Sequence, residues 1–332
     1  MFGLSDPEIL NALSRTKVKT TIYYDPSGSP QLRSLSGPHL SVGFAHCQFF
    51  PVQSLGLMHQ KILIIDEEMI FIGSANMTTP SLTMHDNLVI GFKNRDMARF
   101  LVEKAALSSG YLRTNMGQQE IELWLLPDPD CQALHNLREK IRSAKKSISI
   151  ALFTFTHPDL IEEIISAHKR GIEVHLVVDL HSGLGASKKA IEKIKQAGIR
   201  VSISQGIQLL HHKFVLIDGQ TLITGSANWT KAAFTKNHDC LLVLQLGDKK
   251  QKNFMQKLWK RIEAEARSSG CFGIKSLASN FHNSVCFGIT QGLPCSMPHP
   301  GTTNTWLNSK PTISNSFAFV RSAPTLNINQ TF

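Results

Sequence analysis

The sequence lacks a long apolar segment and every familiar zinc-binding motif. Its longest apolar run, Ile148–Phe155, is far shorter than the roughly 20 residues that a membrane-spanning helix requires. No CxxC pair and no HExxH motif occurs, and the six cysteines are scattered along the chain. We therefore expect free thiols, no metal or other cofactor, and no transmembrane segment.

The first residues also lack the features of a signal peptide. Residues 1–6 contain no basic group and no long apolar core. The default expectation is therefore a cytoplasmic protein.

Acidic residues are in the minority, with 25 Asp and Glu against 35 Lys and Arg, so the net charge is +10. An excess of this sign attracts nucleic acid, lipid head groups and phosphate esters, but it does not indicate a fold. Hydrophobic residues make up 42% of the chain and charged residues 18%, which excludes a wholly disordered or fibrous protein. At about 150 residues per domain, 332 residues predict two domains.

The dominant feature of the sequence is an internal repeat. Three segments recur in the same order and with nearly the same spacing, which predicts two homologous lobes. The copies lie at 58–66, 71–78 and 85–88, and at 210–218, 223–230 and 238–241.

Strands alternate with helical patterns along both copies, which indicates an α/β fold. In the second copy, Asp218-Gly219 between two β-branched runs predicts a hairpin. We predict a first repeat over 1–117, a second repeat over 118–270, and a low-complexity, mostly disordered tail over 271–332 that has no Asp or Glu.

The first copy has no counterpart of 119–152, which in the second copy supplies a strand, a helix and another strand. A lobe without its inner strand is expected to expose a sheet edge. The amino terminus therefore looks incomplete, which leaves the localisation and the activity of the short first repeat open.

The repeat places a histidine and a lysine together twice. Side chains at i and i+2 of a strand share a face about 6.6 Å apart, so His59 lies beside Lys61, and His211 beside Lys213. If the two lobes meet, one imidazole can attack phosphorus while the other protonates the leaving oxygen. The lysines can neutralise the non-bridging oxygens, a task that metal ions perform in many phosphoryl-transfer enzymes.

Three further sets of polar residues accompany these pairs. We expect hydrogen bonds to the substrate phosphate from Ser74, Asn76, Ser226 and Asn228. We expect Asp86 and Asp239 to accept from a histidine Nδ1 and fix its tautomer. Asp66 and Asp218 have the wrong parity for the histidine face, which favours bracing of the hairpin turns.

His-x-Lys-x4-Asp followed by Gly-Ser-x-Asn, present twice, resembles the phospholipase D superfamily over about Gly3–Ala266. The resemblance implies two α/β lobes related by a pseudo-twofold axis, with the active site between them. It also implies a phosphohistidine intermediate, formed by His59 and resolved by water or an alcohol, with His211 as the acid. Because Asp66 and Asp218 belong to the motif, they stay among the candidate catalytic residues.

The sequence thus favours a metal-independent phosphodiesterase that releases phosphatidate and an alcohol from a phospholipid. An endonuclease is the first alternative, and a phosphatidyltransferase is the second. A non-catalytic binder of nucleic acid or membrane is the third, favoured by the short first repeat. Peripheral membrane contact fits the lipid hypothesis, while the oligomeric state stays open.

Overall fold

The computed structural model describes residues 1–35, 43–104, 109–204 and 208–267, and two short strands at 285–288 and 319–321. The strands are β1 Thr20–Tyr24, β2 Cys47–Pro51, β3 Ile62–Ile65, β4 Met69–Gly73, β5 His85–Lys93, β6 Gly110–Met116, β7 Gln119–Leu125, β8 Ser147–Leu152, β9 Glu173–Val178, β10 Arg200–Ile203, β11 Leu209–Leu210, β12 Lys213–Ile217, β13 Thr221–Gly225, β14 Cys240–Gln245, β15 Val285–Gly288 and β16 Phe319–Arg321. The α-helices are α1 Pro7–Arg15, α2 Thr79–Thr83, α3 Arg95–Lys104, α4 Gln132–Arg142, α5 Pro158–Lys169, α6 Leu180–Leu184, α7 Lys188–Gln196, α8 Lys231–Thr235 and α9 Lys249–Arg267; Pro30–Leu35 forms a 3-10 helix.

The predicted α/β class is confirmed. Within the described ranges, no helix combines the length and apolarity needed to cross a membrane. The predicted tail, 271–332, lies outside the described residues except for β15 and β16.

The second repeat is built on an eight-stranded sheet with the order β10-β9-β8-β12-β13-β14-β7-β6. Strands β8, β9 and β10 run parallel, whereas β12, β13, β14 and β7 join through antiparallel pairs. One face of the sheet packs against α4, α5 and α7 through an apolar cluster that includes Leu137, Ile164 and Ile194. Strand β12 is buried throughout because β8 and β13 pair with it on its two sides.

The first repeat has a smaller sheet in which β5, β4 and β3 are antiparallel neighbours, and a separate parallel pair of β1 and β2. Among the described strands, β3 pairs with β4 alone. Its outward side chains Leu63 and Ile65 are 38% and 36% exposed. The expected sheet edge is therefore present, since β3 has no described neighbour in the position that β8 takes beside β12.

The two repeats share a core. A second apolar cluster joins β4 and β5 of the first repeat to β12, β13 and β14 of the second, and α3 and α9 complete it; Ile72, Phe92, Phe214 and Met255 are members. Strand β6, which the predicted boundary at 117 assigns to the first repeat, pairs with β7 along its whole length. This packing fixes the ends of β3, β5, β12 and β14 against one another.

Candidate active site

The two motif histidines lie where the repeats meet. The His59 N–H donates to the His238 carbonyl at 2.8 Å, and the His211 N–H donates to the Asp86 carbonyl at 2.9 Å. The first bond joins the first repeat to the residue two positions before β14 of the second repeat. The other bond joins the second repeat to β5 of the first repeat. Both histidines are therefore positioned by backbone contacts with the opposite repeat.

The imidazoles are also oriented across the repeat boundary. His59 Nδ1 is 2.8 Å from Asp239 Oδ1, and His211 Nδ1 is 3.0 Å from Asn87 Oδ1. Because an oxygen acceptor holds Nδ1 in its protonated form, Nε2 of each ring keeps its lone pair for chemistry. The two rings are thus prepared in the same tautomer by different partners, a carboxylate and an amide.

The structure places Asn87, and not Asp86, beside His211. Asn87 and Asp239 both lie 14 positions after the glycine of their Gly-Ser-x-Asn segment, so equal spacing identifies the correct pair. The Asp86 carboxylate instead accepts from Arg261 at 3.1 Å. Burial and the charge of the nearby Glu265 raise the pKa of Asp86 to about 7, although Arg261 acts to lower it.

The two motif serines hold the orienting side chains. Ser74 Oγ donates to Asn87 Oδ1 at 2.9 Å, and Ser226 Oγ donates to Asp239 Oδ1 at 2.6 Å. A hydroxyl has only one proton to donate, so these serines have none for a phosphate. Their placement differs from the predicted phosphate contact and makes them positioning residues.

The two motif asparagines differ from each other. Asn76 Oδ1 accepts from the Gly3 N–H at 3.3 Å, which ties it to the first residues of the chain. Asn228 Oδ1 is buried without a hydrogen-bond partner among the described residues. The two serine hydroxyls are already engaged. Of the four residues expected to contact phosphate, only the two asparagines therefore have a side chain available for that contact.

Both motif lysines are buried, with Lys61 3% and Lys213 2% exposed. Each ammonium donates to the carbonyl of its own histidine, at 2.7 Å from Lys61 and 2.8 Å from Lys213. Each also lies 5.1 Å from an aromatic ring centroid, that of Phe2 or Phe153, a cation-π pair that the motif analysis missed. Burial lowers the pKa of Lys61 to about 8, although Asp239 raises it.

Charges from both repeats act on one another in the site. Burial and the charges of Lys213, Lys61 and His59 lower the pKa of His211 well below its usual range. Burial and Lys61 also lower the pKa of His59, while Asp239 opposes this effect. A bound anion would oppose these shifts, because it stabilises the protonated form of each group.

The motif aspartates do not belong to this cluster. Asp218 occupies the turn between β12 and β13, and its carboxylate accepts from the N–H groups of Lys145, Lys146 and Ser147 at 2.9, 2.7 and 2.9 Å. Asp66 occupies the corresponding turn between β3 and β4 and is exposed. Their inclusion among the candidate catalytic residues is corrected to a role at the hairpin turns, as their parity indicates.

Within the described part of the chain, no group of three or more His, Cys, Asp or Glu side chains is placed to hold a metal ion. The arrangement instead brings two imidazoles and two ammonium groups, which interact electrostatically with one another, to the boundary between the repeats. Such a set can carry out nucleophilic attack, proton donation and charge neutralisation at a phosphodiester.

Comparison with known proteins gives a consistent result. A family described as cardiolipin synthase, PLD-like domain, matches residues 3–105 and 137–265. The chain is 30% identical to a mitochondrial cardiolipin hydrolase of Xenopus laevis over 42% of its own length and 66% of that protein. It is 35% identical to a mitochondrial cardiolipin hydrolase of Homo sapiens over 34% of its own length and 44% of that protein. The match thus spans less than two thirds of either relative.

Among solved structures, a phosphatidylserine synthase of Haemophilus influenzae superposes with a TM-score of 0.57. The alignment covers 80% of each chain at 12% sequence identity. At that identity the likeness concerns the fold alone.

Proposed function

The chain belongs to the phospholipase D-like family, and on that premise we propose that it is a metal-independent phosphodiesterase that hydrolyses a phospholipid to phosphatidate and a head-group alcohol. The observation that carries the proposal is the pair of buried His-Lys sets, each oriented by a side chain of the opposite repeat. The names of the curated relatives, which are cardiolipin hydrolases, favour a lipid substrate.

The reaction proceeds in two displacements at phosphorus. His59 Nε2 attacks, a P–N bond forms, and the P–O bond to the alcohol breaks as His211 Nε2 gives its proton to the departing oxygen. Water then attacks the phosphohistidine, the P–N bond breaks, and the proton of the water returns to His211. The products are phosphatidate and the free alcohol.

The assignment of His59 as nucleophile rests on its partner. Burial acts to raise the pKa of Asp239, but the charge and hydrogen bond of His59 and the Ser226 hydroxyl lower it, so this carboxyl is ionised. A carboxylate stabilises the positive charge that a ring acquires when its other nitrogen bonds to phosphorus. The neutral Asn87 gives His211 less such support, which suits a group that must release a proton.

The lysines supply the charge that the reaction needs at the non-bridging oxygens. Lys61 and Lys213 are both buried beside the histidines, so their ammonium groups act in a site of low dielectric. Neutralisation by two fixed cations is the physical basis for proposing a reaction without a metal ion.

The test uses two substrates and two variants. Wild-type protein is expected to cleave phosphatidylglycerol in vesicles in the presence of EDTA, whereas His59→Ala and His211→Ala lower turnover by at least about 100-fold. The second substrate is bis(p-nitrophenyl) phosphate, whose leaving group needs no acid. His211→Ala is expected to release p-nitrophenol from it in a burst and to accumulate the phosphohistidine at His59, which mass spectrometry of the protein detects.

His135→Ala serves as the matched control because that histidine lies on α4 with its side chain 63% exposed. It is expected to behave as wild type in both assays. Substantial turnover in His59→Ala, or complete loss of activity with EDTA, would contradict the proposed mechanism.

An endonuclease is the second candidate, and the net charge of +10 favours it. A nuclease would cleave single-stranded DNA in EDTA and bind it with an affinity that falls steeply with salt concentration. Cleavage of DNA without cleavage of lipid would replace the lipid hypothesis and leave the paired-histidine mechanism intact.

A further inference from the structure

One aromatic ring contacts both the histidine and the lysine of each motif. The Phe2 ring lies 5.2 Å from the His59 ring, measured between centroids, and its centroid lies 5.1 Å from Lys61 Nζ. In the second repeat, the Phe153 ring lies at 5.2 Å from its motif histidine and at 5.1 Å from the ammonium of its motif lysine. The same arrangement therefore occurs twice, although neither phenylalanine belongs to the motif.

The main chain holds the two phenylalanines in equivalent positions. The Phe2 N–H donates to the Gln60 carbonyl at 3.2 Å, and the Phe153 N–H donates to the His212 carbonyl at 2.9 Å. Gln60 and His212 are the middle residues of the two His-x-Lys segments. Each phenylalanine is thus hydrogen-bonded to the segment that its own ring contacts.

Close packing further limits movement of the Phe2 ring. Ser29 Oγ donates to the Phe2 carbonyl at 2.8 Å. A Cβ on Gly28 would lie 2.9 Å from Phe2 Cε2 and 2.5 Å from the Phe2 carbonyl oxygen, so the glycine leaves just enough space for this residue. The position of the ring is therefore fixed by its surroundings.

A ring in this position stabilises the charged form of the lysine. The face of an aromatic ring carries the negative part of a quadrupole, and it attracts a cation within about 6 Å of the centroid. The attraction is stronger when the cation is desolvated, and Lys61 and Lys213 are only 3% and 2% exposed. The ring therefore favours the ammonium form, whereas burial favours the neutral amine.

A ring also differs from a carboxylate in what it leaves available. An ammonium group has three N–H donors. Each motif lysine uses one of them for the carbonyl of its own histidine, at 2.7 Å from Lys61 and 2.8 Å from Lys213. A carboxylate beside the ammonium would accept from the other donors and repel a phosphate. An aromatic ring stabilises the charge and adds no negative ion that competes with the substrate.

Other titratable groups act on the same two ammonium groups. Burial lowers the pKa of both motif lysines and Lys61 lowers that of Lys213, whereas Asp239 opposes both shifts. Asp25 also raises the pKa of Lys61, and the carboxyl group of Asp179 has the same effect in the second repeat. The remaining groups around the lysines are the two motif histidines, the Met1 amine, His85, His212 and Cys240. All of them are retained when only a ring is changed, so a change in a lysine pKa then reports the effect of that ring.

We propose that Phe2 and Phe153 are positioning residues that keep the two motif lysines charged for phosphate binding by presenting an aromatic face to each ammonium group. The inference rests on the proposed function, in which the lysines neutralise the non-bridging oxygens. Each ring acts through its lysine and not on the reacting atoms. Because the pKa of Lys61 is already lowered to about 8, loss of this support would leave the lysine partly neutral near pH 7.

The experiment replaces Phe153 in the full chain by mono-, di- and trifluorinated phenylalanine. Fluorine withdraws negative charge from the ring face while the shape of the side chain stays nearly the same. The pKa of Lys213 is measured by carbon-13 NMR of protein labelled at lysine Cε, with the signal assigned by its loss in Lys213→Arg. We expect this pKa to fall stepwise along the series, by about one pH unit in total.

The same series has a kinetic readout. A lysine with a lower pKa loses its proton at lower pH, so the alkaline limb of kcat/KM for bis(p-nitrophenyl) phosphate should move to lower pH with each fluorine. Above that limb, kcat/KM is expected to fall by up to about tenfold. Phe153→Leu should shift the limb in the same direction, whereas Phe153→Tyr should keep the wild-type profile because it retains an aromatic face.

Phe155 provides a matched control two positions along the same segment. It is fully buried, and its ring packs against Trp229 in the apolar cluster of the second repeat. Fluorination of Phe155 is expected to leave the pKa of Lys213 and the pH profile unchanged.

The outcomes separate this inference from the proposed function. A Lys213 pKa that stays constant along the Phe153 series would overturn the inference, and so would an equal fall along the Phe155 series. A stepwise fall without any change in the pH profile would overturn it as well, because the charge of the lysine would then not serve the reaction. Absence of hydrolysis in the wild type would overturn the proposed function and the catalytic purpose of the rings, whatever the NMR titration gives.

Discussion

At the scale of single residues, the site is defined by buried basic groups whose pKa values are lowered. The pKa of Lys61 falls to about 8 and those of His59, His211 and Lys213 also fall, with burial as the largest cause in each case. Both imidazoles are therefore largely neutral near pH 7 in the ligand-free protein. Since the proposed acid must carry a proton, the substrate has to supply the missing stabilisation.

This leads to a prediction about proton linkage. Binding of diethyl phosphate, which stays a monoanion from pH 6 to pH 8, should raise the lowered pKa values and draw a proton from solution. Calorimetric titrations at pH 7 in two buffers of different ionisation enthalpy should show an uptake of up to about one proton per site. His211→Ala should take up less, and release of protons by the wild type would contradict this account.

The sequence motif predicts some residues of the site and misses others. The histidines, lysines and Asp239 could be found from the repeat alone, but preference for a carboxylate selected Asp86 over Asn87. Equal spacing from the motif glycine would have selected Asn87. The crossing of each contact to the opposite repeat lies beyond local pattern, because His59 and Asp239 are 180 positions apart.

At the scale of elements, the two motif hairpins have similar turns but different surroundings. Asp66 and Asp218 both have left-handed backbone conformations, with φ of 55° and 53°. Among the described residues, the Asp218 carboxylate accepts from N–H groups at the start of β8, and no such contact is present for Asp66. The first repeat has no described counterpart of β8, so Asp66 has no equivalent groups to accept from.

The pair provides a matched test of this bracing role. Alanine at positive φ is strained at both turns, so the difference between Asp218→Ala and Asp66→Ala isolates the loss of the carboxylate contacts. Asp218→Ala is expected to lower the free energy of unfolding by about 1–3 kcal/mol more than Asp66→Ala, as measured by urea denaturation. Equal stabilities would show that the three hydrogen bonds contribute nothing.

Elements with strong apolar patterns could be predicted from the sequence. The two β-branched runs around Asp218-Gly219 form β12 and β13, the hairpin that the sequence predicts. Strand β6 could not be predicted, because its side chains are half-exposed or exposed along most of its length and its pairing with β7 defines it. Patterns of burial reveal inner strands, whereas an edge strand depends on a neighbour that sequence periodicity does not show.

At the scale of the whole molecule, the two repeats pack against each other inside one chain. They share the apolar cluster between the two sheets, and each orients the histidine of the other. A variant that lacks either histidine should therefore not regain activity when it is mixed with another chain of this protein.

Mixing the two inactive variants tests this arrangement. An equimolar mixture of His59→Ala and His211→Ala should hydrolyse phosphatidylglycerol no faster than the sum of the separate variants. Wild-type protein diluted with either variant should keep activity in proportion to its own amount. Restored activity in the mixture would indicate that repeats are exchanged between chains.

Strand β3 is an exposed edge strand that can promote self-association. It pairs only with β4 among the described strands, and Leu63 and Ile65 face outward from it. The unpaired main-chain N–H and C=O groups of an edge strand can form hydrogen bonds with a strand of another molecule. We therefore expect concentrated protein to self-associate through β3, and a charged side chain in place of Leu63 to reduce this association because it repels an incoming strand.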